Sequence, residues 1–384
     1  MTTTHRTHGT SGQAILHLAF ELGWTEWKLA FTTGLGQKPR FRTVRARDCE
    51  GLQQEIAKAK KRFDLPADAP LVSCYEAGRD GFWLHRYLTA CGITNLVVDS
   101  ASIEVNRRKR RSKSDRLDAG KLVTMLLRYG AGEHKVWSVV RVPSAVAEDG
   151  RQFHRELEEL KDERTEHVNR IKALLASQGL ELVVVDESLS AWLEQGRLWD
   201  GSAVPQELQR RLVRELARWR LVNRQIMDLE NERRRRIRRE QTPQIDQVRS
   251  LLELRGVGFN GAWLLVYEMF AWRNFSNRKQ VAGCVGLTPT PYDSGNSKRE
   301  QGISKAGNRR ARRMMVELAW CWLRWQGDSD LTRWYDQRFG SGNVRLRKIG
   351  VVALARKLLV AFWKYLERGE MPVGAQCSDW RLKV

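Results

Sequence analysis

The chain has no uninterrupted run of about 18 apolar residues, which excludes an obvious bilayer-spanning helix. Its first residues, "MTTTHRTHGTSGQ", lack the apolar core of a signal peptide. The six cysteines, at 49, 74, 91, 284, 321 and 377, form no Cys-x-x-Cys pair. That argues against a zinc ribbon or a disulfide framework, and for a reducing cytoplasm in which the thiols are mostly structural. Acids are outnumbered by bases. Asp and Glu total 45 against 67 Lys and Arg, so the formal charge is +22. Such an excess repels itself in a compact fold unless a polyanion neutralises it. Nucleic acid is the first expectation, because each neutralised phosphate releases a counterion. A membrane surface is the weaker alternative.

What is present is ordinary globular material. The 384 residues are 42% hydrophobic, enough for two or three domains with real cores. Fifteen tryptophans are many, and several (Trp320, Trp322, Trp325) lie in helical apolar patterns. Core packing is the plain reading for most of them, and base stacking an option for a few.

Local patterns divide the chain into three stretches. In the first, "AILHLAFELG", "EWKLAFTT" and "RFRTVRA" read as three antiparallel strands joined by turn-like segments. "EGLQQEIAKAKKRFD" is helical, "PLVSCYEAG" is a strand ending in Glu76, "GFWLHRYLTACG" an amphipathic helix, "TNLVVDS" a strand and "DRLDAGKLVTMLLRYG" a helix. Three strands, then helix, strand, helix, strand, helix is the order of a ribonuclease-H-like mixed sheet, assigned to residues 13–148.

Residues 149–243 change character. Leu208, Leu212, Leu216, Trp219, Val222, Ile226 and Leu229 recur every 3.5 residues on average, the coiled-coil period. Phe153, Leu157, Leu160, Val168, Ile171 and Leu174 repeat it more loosely, with "LWDGSAVPQ" between the two, which predicts a long antiparallel helical hairpin. Its end carries "ERRRRIRR", where Arg233, Arg234, Arg235 and Arg236 form a candidate phosphate-tracking surface, or else a solvated helix face.

Residues 244–375 read as a mostly helical third domain. "LLELRGVGFNGAWLLVYEM" is helix, glycine turn, helix. It is either a plain turn or a helix-hairpin-helix whose glycines let backbone amides approach a phosphate. A long polar loop is expected from about 286 to 308, leading into a basic helix with Lys305, Arg309 and Arg310. "CSDWRLKV" reads as a loose tail.

A two-metal phosphodiester site needs three or four carboxylates around Mg²⁺, a hard ion that takes oxygen ligands. This fold class supplies them from the first strand, the end of the fourth strand and a late helix. The sequence has Glu21, Glu76, and the pair Asp115 and Asp118 at those places, the last two on one helical face. Each has an ordinary alternative. Asp115 is a good helix cap, Asp118 a partner for a nearby arginine, Glu76 a cap for the following helix. Glu21 is harder to explain away, since an unpaired carboxylate buried in an apolar strand is unfavourable. Just before the aspartates, Arg107, Arg108, Lys109, Arg110, Arg111 and Lys113 would guide a phosphate backbone.

The succession "YEAG" and "KSDRLDA" resembles the Asp-Glu-Asp-Asp domain of the insertion-sequence 110 family of bacterial transposases, whose first domain is similar to RuvC resolvases. "LRGVGFNGAWLLVYE", "FSNRKQVAGCVGLTP", "DSG" and "GISKAGNRRARR" resemble the family's second domain in order and spacing. In one place the chain departs from the pattern. The first-strand acid is usually Asp, and here it is Glu21, whose carboxylate sits about 1 Å further out.

The resemblance implies a recombinase in which a Mg²⁺-binding acidic site works with a serine nucleophile, Ser294 in "PYDSGNS", to form a covalent serine–DNA link. By the residues alone, Ser297 is an equal candidate. The resemblance also implies a non-coding bridge RNA that pairs with donor and target DNA. It further implies homodimers formed through the coiled coil and assembling into tetramers, in which the acidic domain of one protomer meets the serine domain of another. Two other readings stand beside it: a Mg²⁺-dependent RuvC-like junction nuclease without a covalent intermediate, and a non-catalytic nucleic-acid-binding protein.

Overall fold

The structure is a computed structural model that describes residues 14–103, 115–181, 184–294 and 297–383. It is a mixed α/β chain that divides into two compact units, with the boundary between Pro143 and Ser144.

The first unit is built on a five-stranded mixed sheet. Its strands and helices are β1 (Leu16–Leu22), β2 (Glu26–Thr32), β3 (Arg40–Arg45), α1 (Cys49–Arg62), β4 (Leu71–Glu76), α2 (Trp83–Ala90), β5 (Thr94–Val98) and α3 (Asp115–Gly130). The spatial order is β3-β2-β1-β4-β5, with β1–β2 and β2–β3 antiparallel and β1–β4 and β4–β5 parallel. The period-two alternation of the sequence becomes two distinct faces. Leu16, Leu18 and Phe20 of β1, with Leu71 and Tyr75 of β4, pack against Leu52 and Ile56 of α1 and Leu84 and Leu88 of α2. Ala19, Ala30, Cys74 and Val98 face the other way, onto Ala119, Leu122, Val123 and Leu126 of α3. The small residues on that second face let α3 lie close against the strands.

The second unit opens with α4 (Ala145–Asp149) and α5 (Gln152–Ala176), followed by α6 (Ser188–Gln195) and α7 (Gln206–Arg239). Helices α5 and α7 form an antiparallel hairpin, since partners ascend on one as they descend on the other: Lys161 with Glu230, Arg164 with Asn223, His167 with Glu215. The periodic positions Leu212, Leu216, Trp219, Val222 and Ile226 are buried as their spacing predicts. Only a linker is expected between the two long helices. Helix α6 lies there, and its Leu189 and Leu193 join the hairpin's core. The seam also buries polar groups. His167 and Glu215 bond at 2.8 Å, with Arg170 and Arg218 on the same carboxylate.

The rest of the unit comprises α8 (Pro243–Glu253), α9 (Phe259–Leu265) running into a π-helical turn (Val266–Phe270), α10 (Arg278–Cys284), β6 (Pro289–Ser294), β7 (Ser297–Ile303), α11 (Arg309–Trp325), α12 (Asp330–Tyr335) and α13 (Val344–Arg368). Two expectations fail here. The segment expected as a long polar loop is an antiparallel hairpin of β6 and β7, with Ser294 opposite Ser297. Its sequence, "PTPYDS" and "SKREQGI", lacks the apolar alternation that marks a strand. The tail is not loose either. Ser378 donates its backbone N–H to Glu253 at 2.7 Å, Cys377 bridges to Leu254, and Trp380 packs on the helical core. Of the three tryptophans in the helical pattern, Trp322 is buried while Trp320 and Trp325 are a little under half exposed.

Candidate active site and nucleic-acid surfaces

Strand parity decides where the acids of the first unit point. Residues 17, 19 and 21 of β1 share one face, as do 72, 74 and 76 of β4. Ala19 and Cys74 mark that face as the α3 side. The parallel register pairs Phe20 with Tyr75, so the next residues, Glu21 and Glu76, are neighbours at the carboxyl ends of adjacent strands. Asp118 lies in the first turns of α3, one residue before the buried Ala119. Glu21, Glu76 and Asp118 accordingly line one cleft of about 430 Å³, together with Arg79, Asp80 and Lys121. Across the antiparallel register Glu21 faces Lys28, whose ammonium bonds Glu26 and Thr43.

Glu21 is not the buried, unpaired acid that its strand pattern suggests. It sits half-buried at the strand end and is not without a partner, so it is not an isolated acid inside an apolar strand. Glu76 is exposed. Asp115 begins α3, and its side chain lies outside what the structure describes. Arg107, Arg108, Lys109, Arg110, Arg111 and Lys113 fall outside the described residues. Among the described residues, no three His, Cys, Asp or Glu side chains stand close enough together to enclose a metal ion. The donor chemistry is nevertheless that of a hard cation: carboxylate oxygens only, on two strand ends and a helix. Asp80 was missed in the sequence. It sits four residues past Glu76 in the same strand-to-helix loop, and its nearly buried carboxylate pairs with Arg47 and Arg79.

In the second unit, β6 carries Ser294 and β7 carries Ser297; their side chains are not among those described. The base of this hairpin is tightly clamped. Lys305 donates its N–H to Gly286 and Asn308 donates to Cys284, while the Arg312 guanidinium bonds the carbonyls of Val285 and Ala306. A Cβ on Gly307 would come within 2.2 Å of the Cys284 oxygen, and Gly307 has φ +81°.

Beneath that clamp lies a residue the sequence did not flag. Glu268, on the π-helical turn, is 1% exposed and accepts four hydrogen bonds. They come from His154 Nε2 (3.0 Å), Arg155 Nε and Nη2 (2.8 and 3.1 Å) and Asn308 Nδ2 (2.8 Å). Burial alone would raise its pKa. The hydrogen bonds and positive charge from His154 and Arg155 outweigh that and hold the carboxyl well below the usual carboxylate range. Because Asn308 also caps α11 through Oδ1, Glu268 ties α5, the π-turn and the start of α11 together. The only sequence signal was an acid inside the apolar run "LLVYEM".

The basic candidates separate by burial. Arg233 is 4% exposed and bonds Asn260 Oδ1 at 2.5 Å, so it is an internal strut of α7 and not part of a phosphate-tracking face. Burial lowers its pKa to about 10. Arg236 pairs with Glu232 and lies over Phe153. Arg234 and Arg235 are exposed. Lys305 and Arg309 are exposed, and Arg310 pairs with Glu158 at 2.7 Å. The glycine turn before α9 holds Gly256 at φ +89°, with Cys321 and Trp325 of α11 packed where a Cβ would stand. Packing of helices is thus enough to explain that glycine. Among the described residues no helix is long and apolar enough to cross a membrane.

A mixed α/β unit with a carboxylate-lined cleft, in a strongly basic chain, has the charge to meet a polyanion such as nucleic acid. Comparison with known proteins narrows it. A family model described as "Transposase IS116/IS110/IS902 family" matches residues 248–335. Over 377 residues the chain is 39% identical to "Putative transposase y4rJ" of Sinorhizobium fredii (strain NBRC 101917 / NGR234), covering 94% of both chains. It is 26% identical over 280 residues to "Putative transposase y4qE" of the same organism, covering 70% of this chain and 62% of that one. It is 27% identical over 170 residues to "Transposase for insertion sequence element IS1328" of Yersinia enterocolitica, covering 44% and 48%. The chain belongs to the IS116/IS110/IS902 family of transposases.

Proposed function

We propose that the protein is a DNA transposase that cuts and rejoins DNA strands through a covalent serine intermediate. In this reading Glu21, Glu76, Asp115 and Asp118 of a RuvC-like unit form a two-Mg²⁺ site, and Ser294 is the nucleophile. The observation that carries it is the convergence of Glu21, Glu76 and Asp118 on one cleft, at adjacent carboxyl ends of parallel strands and on the facing helix. Family membership and the charge of +22 support DNA as the substrate.

The chemistry asked of these residues is balanced. Ser294 Oγ forms a bond to phosphorus as the bond to one sugar oxygen breaks, and the serine proton ends on the leaving hydroxyl. Rejoining reverses this with the hydroxyl of a different strand, so phosphodiester bonds are conserved and no outside energy source is needed. Mg²⁺ held by the carboxylates would polarise the phosphoryl oxygens and favour the ionised serine. Ser294 ends β6, opposite Ser297 of β7. A guide RNA pairing with donor and target DNA, and a dimer-of-dimers assembly, belong to the same proposal through the family resemblance.

The test uses full-length protein on DNA carrying an element end, with its flanking RNA supplied. Ser294→Ala should abolish denaturation-resistant protein–DNA adducts, while Ser297→Ala keeps them. Glu76→Gln and Asp118→Asn should each lower strand cleavage by at least about a hundredfold, the loss typical of removing one transition-state-stabilising group. An adduct formed by Ser294→Ala refutes the serine assignment. Full cleavage by both carboxamide variants refutes the acidic site. Cleavage by wild type without any adduct favours a hydrolytic nuclease.

A further inference from the structure

At the rim of the acidic cleft an aromatic side chain is presented outward by three converging loops. Trp24 occupies the tight turn between β1 and β2, closed by Gly23 N–H donating to the Glu26 carbonyl at 3.0 Å. It is 64% exposed, unusual for the largest apolar side chain. Two guanidinium groups lie against its ring. Arg47, from the β3–α1 connection, is 4.8 Å from the ring centroid, and Arg79, from the β4–α2 connection, is 4.9 Å away. Both arginines are held by one carboxylate, Asp80, at 3.1 and 3.3 Å. Arg47 also bonds the Trp24 carbonyl at 3.3 Å, and its φ of +68° is uncommon for a non-glycine residue.

The cluster is held together by contacts among its own members. Its indole contributes little to the core, since most of it faces solvent. Asp80 offsets one of the two cations, so the group stays net positive. Arg79 and Asp80 also line the cleft that contains Glu21, Glu76 and Asp118, so the cluster and the acids share one continuous surface. An exposed indole beside half-exposed guanidinium planes is the arrangement that stacks an unpaired base while a cation meets its phosphate.

We infer that Trp24, oriented with Arg47 and Arg79 by Asp80, is a stacking seat for one unpaired nucleobase of the strand whose backbone enters the acidic cleft. The inference rests on the proposed reading of that cleft as a strand-cutting site. The seat acts as a positioning element: stacking a base next to the cleft fixes which phosphate lies over the carboxylates. The base can come from DNA or from RNA, and the two share the chemistry.

The experiment measures binding apart from cleavage. Full-length protein in EDTA is titrated into single-stranded oligonucleotides containing one 2-aminopurine, in DNA and RNA versions, reading anisotropy for affinity and 2-aminopurine emission for stacking. Wild type should quench the probe with at least one of the two, and the version quenched identifies the source. Trp24→Ala should weaken binding about tenfold, within the range one stacked base contributes, with quenching lost and the salt dependence unchanged. Trp24→Phe should retain most of both. Arg79→Ala should reduce the salt slope by about one phosphate contact. Trp24→Ala binding within twofold of wild type, with quenching intact, overturns the inference. So does a loss of affinity that appears wholly as a changed salt slope, because the effect then belongs to displaced arginines. The carboxamide variants separate the two proposals: if Glu76→Gln and Asp118→Asn both cut DNA as fully as wild type while Trp24→Ala has lost quenching, the acidic site fails and the seat stands.

Discussion

Replacing Glu268 by glutamine changes one oxygen to an amide group and leaves the volume almost unaltered, so the consequence is electrostatic. The carboxylate accepts four hydrogen bonds, three of them from His154 and Arg155 and one from Asn308. A glutamine turned to face any of these donors with its NH₂ leaves that donor unpaired. Breaking a buried ion pair by removing one partner costs about 3–5 kcal/mol. Arg155 is 32% exposed and can recover some hydration, which reduces the expected loss to about 2–4 kcal/mol. For a unit of this size each kcal/mol lowers Tm by about 2–4 °C, so Glu268→Gln should unfold roughly 5–15 °C earlier in calorimetry.

The pH dependence gives a second reading of the same substitution. The folded pKa of Glu268 lies below its unfolded value, so its contribution is fully present above about pH 4.5. It is lost as pH falls from there towards the folded pKa. The gap between wild type and Glu268→Gln should therefore be present at pH 5 and shrink below pH 4.5. Urea titrations across that range test it. A variant within about 0.5 kcal/mol of wild type at pH 7, or a gap that widens in acid, refutes the assignment of Glu268 as a buried charged hub.

Two further outcomes follow from particular backbone and side-chain positions. Gly307→Ala and Gly302→Ala both force a side chain into positive φ, but only the first meets a carbonyl oxygen at 2.2 Å, while the second meets nothing within 4 Å. Gly302→Ala should cost about 1 kcal/mol and Gly307→Ala at least about 2 kcal/mol more in urea melts; equal losses would show that the hairpin clamp is not sterically tight. Cys74 is buried against α3 and burial pushes its thiol pKa far up, whereas Cys91 and Cys377 are exposed. Brief alkylation of the native protein followed by peptide mass mapping should label Cys91 and Cys377 and spare Cys74, and early labelling of Cys74 would contradict its packing.

The sheet was legible because each of its strands carries its own signal. Alternation in "LHLAFEL" and "LVSCYE" fixes both that these are strands and which residues share a face. The helical hairpin was legible for the same reason, through the 3.5 period of α7. What escaped was structure whose signal is not periodic. Helix α6 has only eight residues, too short for its Leu189 and Leu193 to establish a period. The β6–β7 hairpin has no apolar side. The tail is fixed by backbone bonds from Ser378 and Cys377 and by one indole, none of which shows in composition.

The candidate site shows the same division at the level of single residues. Sequence order proposed Glu21 and Glu76 for one site, but order alone cannot say that they share a face. Parity and register do: an odd residue on β1 and an even one on β4 both fall on the α3 side, and a one-residue slip of either strand would turn its acid into the opposite core. The apolar residues that fix register, Leu16, Leu18 and Phe20 on one strand and Leu71 and Tyr75 on the next, are therefore what aim the carboxylates. Asp80, Trp24, Arg47 and Arg79 were invisible to this reasoning because they sit on three loops with no periodicity, and only folding brings them to the same rim. The arginine run of α7 failed in the opposite way: its charge pattern was plain, but helical geometry turns Arg233 inward while Arg234 and Arg235 stay out, so a uniform string of charges becomes one internal strut and a smaller exposed face.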